Sequence, residues 1–105
     1  MKIVEKNAGQ KIEYAVRSTK VTFDDDLTIN LAKREQDWPV HIDVCYDADD
    51  ELVIGTAAGR RYVAELDIPA REYDEVEDPE SEGGTKLVPI PLDMNKVTLS
   101  LWSVE

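Results

Sequence analysis

A chain of 105 residues, 42% hydrophobic and 33% charged, has the size of one domain and enough apolar material to bury a core, which excludes wholesale disorder. Its formal charge of −11 excludes direct binding to nucleic acid or to anionic lipid, because either surface repels it. The single cysteine, Cys45, excludes an intramolecular disulfide and fits a reducing cytoplasm. We therefore expect a single β-domain over 1–105, with no signal-peptide run and no stretch near the ~20 apolar residues of a membrane span. The composition suits a small bacterial cytoplasmic or mobile-element protein.

In chain order, period-two alternation dominates, and this is the signature of strands that bury one face. Ile12, Tyr14 and Val16 alternate with Glu13, Ala15 and Arg17. Val21 and Phe23 make a shorter run, as do Leu27, Ile29 and Leu31, with the turn Asp24-Asp25-Asp26 between them. Residues 31–37, Leu-Ala-Lys-Arg-Glu-Gln-Asp, are good helix formers, with Asn30 placed to cap them and Pro39 to stop them, so one short helix fits there. The clearest strand follows. Trp38, Val40, Ile42, Val44 and Tyr46 share one face, and His41, Asp43, Cys45 and Asp47 share the other.

Beyond the turn Asp47-Ala48-Asp49-Asp50, residues 51–57 form another short strand. Arg61, Val63, Glu65 and Asp67 alternate with Tyr62, Ala64, Leu66 and Ile68. The stretch from Ile68 to Leu92 then holds four of the five prolines. Residues 72–85 carry seven acidic side chains and no lysine or arginine, most of the excess negative charge. Self-repulsion and poor burial predict a mobile acidic loop at about 74–86. Val97, Leu99 and Leu101 alternate with Thr98, Ser100 and Trp102 in a closing strand. The expected fold is mainly β, a small antiparallel barrel or sandwich of about seven to nine short strands, with residues 1–70 in a meander.

No motif for catalysis or for a cofactor stands out, and no catalytic, cofactor or metal residues are assigned. His41 and Cys45 are the only residues of their types. On a strand they lie about 13 Å apart, at roughly 3.3 Å per residue, too far for a thiol–imidazole pair. Cys45 reads as an inert, partly packed thiol, and His41 as a sheet-surface residue paired with a carboxylate. Asp47-x-Asp49-x-Glu51 begins like a calcium loop, but Leu52 stands where the loop needs glycine and Ala58 where it needs an acid. One cysteine and one histidine cannot fill a four-ligand zinc site. Gly55–Gly59 lacks the Lys-Ser/Thr ending of a phosphate loop.

The residues singled out for interaction are Trp102, Arg60 and Arg61. Trp102 is an apolar side chain on a face that should be wet, which implies a central strand, a covering loop such as the 87–94 segment, or contact with another chain. Arg60 and Arg61, with Arg71, form the only basic cluster near the middle of the chain, and internal charge balance is their simplest use. The sequence thus points to a non-catalytic interaction or structural module acting through a sheet face or edge, on a protein partner or on itself. Two alternatives are a domain binding a divalent cation or small ligand through its acidic turns, and an acidic mimic of nucleic acid.

Overall fold

Alternating apolar residues become strands wherever the pleat turns one set toward a common interior. The structure, a computed structural model describing residues 1–105, has ten strands and one α-helical turn. In chain order these are β1 (Lys2–Glu5), β2 (Tyr14–Arg17), β3 (Lys20–Phe23), β4 (Leu27–Asn30), α1 (Leu31–Arg34), β5 (Val40–Tyr46), β6 (Leu52–Ile54), β7 (Arg61–Ile68), β8 (Tyr73–Glu77), β9 (Thr85–Pro89) and β10 (Thr98–Leu101). No helix is long and apolar enough to cross a membrane.

The mainly β expectation holds, as two stacked sheets without barrel closure. The larger sheet has the order β1-β10-β7-β5-β6, and the smaller the order β2-β3-β4. Val21, Phe23 and Ile29 of the smaller sheet and Val44, Ala64, Leu66 and Leu99 of the larger meet in one buried cluster that also holds Leu31 and Val97. Sheet stacking of this kind lets each sheet cover the other's apolar face.

The chain path departs from a simple meander. β5 lies between β6 and β7, and β1 pairs with β10 in parallel, joining the two ends of the chain. The turn Asp24–Asp26 forms as its composition requires, with Asp24 and Asp25 in left-handed backbone (φ 53° and 50°). The helix is shorter than 31–37 and covers only Leu31–Arg34. Asn30 precedes it, but its side chain gives no cap; Asn30 Oδ1 instead accepts from Thr19 Oγ1 at 3.0 Å. Trp38 lies outside β5 and is 61% exposed, so the strand face begins at Val40.

The acidic segment is the main correction. Residues 73–89 form a two-stranded hairpin, β8–β9, instead of an irregular loop. Turn chemistry outweighs charge repulsion there. Asp78 accepts from Glu80 N and from Ser81 Oγ, and Gly83 and Gly84 take the positive φ of the reversal (79° and 77°). Lys86 faces Asp78 at 3.9 Å, and Thr85 Oγ1 donates to Glu75.

Candidate functional site

Antiparallel pairing sets His41 of β5 opposite Asp67 of β7 and Asp43 opposite Glu65. Residues directly opposite share a face. The outer face of the larger sheet therefore gathers its one imidazole among three carboxylates. His41 Nδ1 lies 2.6 Å from Asp67 Oδ1, and its Nε2 lies 2.8 Å from Asp43 Oδ1 and 3.4 Å from Glu65 Oε1. Trp102 Nε1 donates to the other oxygen of Glu65 at 2.8 Å, and Lys6 approaches that oxygen at 3.9 Å. His41 is half exposed, while the Asp43 and Glu65 side chains are only 22% and 16% exposed. His41, Asp43 and Glu65 present ligand atoms that all lie within 4.8 Å of one another.

A β-bulge shapes one side of this face. The register slips where Val44 pairs with Ala64 but Cys45 pairs with Tyr62, so β7 carries one extra residue, Val63. Val63 and Ala64 are both fully buried, and Tyr62 leaves the core face assigned to it by alternation. It stacks on Trp102 instead, with ring centroids 5.7 Å apart. Trp102 is thus covered by Tyr62 and tied to Glu65. The 87–94 segment runs elsewhere, with Ile90 N donating to Glu72 O.

The carboxylates set the local field. The hydrogen bond that His41 donates to Asp67 raises the His41 pKa against partial burial, with Asp43 adding to the rise. Burial pushes the Cys45 thiol up, helped by the negative charges of Asp43 and Glu65, and the thiol stays protonated. The charge of Asp43 also raises Tyr62. Cys45 is buried against Gly59, where a Cβ would stand only 2.8 Å from Cys45 Cβ.

The remaining candidates lie apart from this cluster. Arg61 pairs with Asp50 at 3.2 Å and lies over the Tyr46 ring, and Arg60 N donates to Tyr46 O. Arg71 reaches Glu35 and Asp37, so it does not join Arg60 and Arg61 in one patch. Asp47 Oδ1 accepts from Asp49 N and Glu51 N, which commits that oxygen to its own turn. Asp24 and Asp25 edge a polar hollow with Glu13 and Thr22. The His41 cluster was missed in the sequence because it depends on which strand lies beside β5. The available signal was the shared polar parity of His41 and Asp43 with Glu65 and Asp67.

The second feature is the β8–β9 hairpin. It belongs to neither large sheet and is exposed along most of both strands. Leu87 is 67% exposed, and Tyr73 and Ile90 are also open to solvent. Its base is fastened firmly. Arg71 binds the side chain and backbone oxygen of the buried Glu35, Tyr73 donates to Asp37, and Lys96 pairs with Glu72 at 2.9 Å. Comparison with protein-family models, curated proteins and solved structures found no match to this chain.

Proposed function

We propose that this chain is a non-catalytic protein-interaction module whose docking element is the β8–β9 hairpin, and that its partner presents a basic surface around an apolar centre. The observation that carries this is a hairpin standing off the body with Leu87, Tyr73 and Ile90 uncovered. A lone two-stranded hairpin is marginal in water, and its strands gain most when another surface covers one face. Residues 73–89 hold six acidic side chains against the one lysine, Lys86. A second copy would bring a like-charged hairpin, so charge complementarity favours a basic protein over self-association through this arm. The acidic ladder also supports the nucleic-acid-mimic alternative, since strand pairing fixes its carboxylates in a way that a loop would not.

The test replaces residues 74–88 with a two-residue turn, which leaves the paired base residues Tyr73 and Pro89 in place. Both proteins are then used as bait in extract from the native cell. The full chain should retain a partner that high salt releases and that the shortened chain does not retain. Equal capture by the two proteins would refute the arm as the docking element. Release of the partner by competing duplex DNA would identify the arm as a mimic.

A further inference from the structure

We propose that His41, Asp43 and Glu65 form a binding site for a divalent transition-metal cation on the outer face of the larger sheet, independent of the hairpin. The donors are one imidazole nitrogen and two carboxylates on adjacent strands, with Asp43 directly opposite Glu65. Ligand atoms held about 2.0–2.2 Å from a common cation must lie about 3.0–3.6 Å from one another. Nε2 of His41 is already 2.8 Å from Asp43 Oδ1 and 3.4 Å from Glu65 Oε1, and no two ligand atoms are more than 4.8 Å apart, so the carboxylates need only close in on an entering cation.

The groups behind these donors fit the same purpose. Asp67 lies on the far nitrogen of His41, and a carboxylate there holds the proton on Nδ1 and keeps Nε2 facing Asp43 and Glu65. Trp102 engages Glu65 Oε2, leaving Oε1, the oxygen nearer His41, free to ligate. Asp43, Glu65 and Asp67 give the patch three negative charges, and Lys6 answers one of them. The mixed nitrogen and oxygen set suits Zn2+, Ni2+ or Co2+. It is a poor match for Ca2+, which takes six to eight oxygens. Solvent would complete the coordination.

The two tryptophans permit a direct optical test. In a Trp38→Phe background, whose altered side chain lies on the surface, Trp102 is the sole indole and is hydrogen-bonded to a ligand residue. Titration with Ni2+ at neutral pH should quench its fluorescence saturably at one equivalent, and Zn2+ should displace the quencher. His41→Ala should abolish the saturable phase. Asp67→Asn, which keeps all three ligands, should weaken binding by about tenfold or more. If His41→Ala does not fold, Asp67→Asn carries the test alone. Quenching that never saturates, a midpoint unchanged in these variants, or equal displacement by Ca2+ would overturn the proposal and leave His41 as an ion-pair residue only.

Discussion

His41 shows most directly how one side chain couples the fold to its surroundings. Its raised pKa arises from Asp67 and Asp43, with Glu65 also beside the ring and Lys6 set against Glu65. A histidine whose folded pKa lies above its ordinary value of 6.5 stabilises the folded state fully below that value. The contribution fades as pH rises through the folded pKa. In the presence of chelator, the urea midpoint of wild type should therefore exceed that of His41→Gln most below pH 6.5, and the gap should shrink as pH rises above it. A gap that grows with pH would contradict the placement of His41 among carboxylates. The pairing of His41 with an acid was legible in the sequence, because β5 alternates cleanly and leaves His41 outside. Which acids it meets was not legible, because Asp67 and Glu65 arrive from β7, over 20 residues away.

Among the elements, β5 and the part of β7 beyond its bulge follow their alternation, since one face of each has a core to enter, while β10 is buried on both faces, Ser100 included. The exceptions have local causes. The extra residue at Val63 turns Tyr62 outward, where it shields Trp102. The hairpin was not legible in the sequence because acidic side chains and prolines are weak strand formers, while the signals for it were confined to Asp78 and the Gly83-Gly84 pair. Its attachment rests on a few polar contacts to the segment after α1. Arg71→Ala removes two hydrogen bonds to Glu35, whose carboxylate is largely buried, and should lower the midpoint of chemical unfolding. Amide exchange should rise first in β8 and β9. Unchanged protection there would mean that the arm is held by its own pairing and not by its base.

At the scale of the whole molecule, shape and charge divide in the same place. A compact chain of this length has a radius of gyration of about 13 Å. The observed value is 17.1 Å, with extents of 58 × 24 × 21 Å. The stacked sheets form the body, and the acidic hairpin stands away from it with much of the excess negative charge. A net charge concentrated on an arm repels other copies of that arm and draws basic surfaces to it. The sequence located this concentration but not its geometry, since composition alone does not distinguish a fixed ladder of carboxylates from a loose run of them.

The proposed docking role depends on the arm standing free of the body in the isolated protein. Small-angle X-ray scattering on the monomer tests this directly. The structure predicts a radius of gyration near 17 Å for the full chain, falling toward about 13 Å when residues 74–88 are replaced by a two-residue turn. A full-length value already near 13 Å would place the hairpin against the sheets and contradict the account.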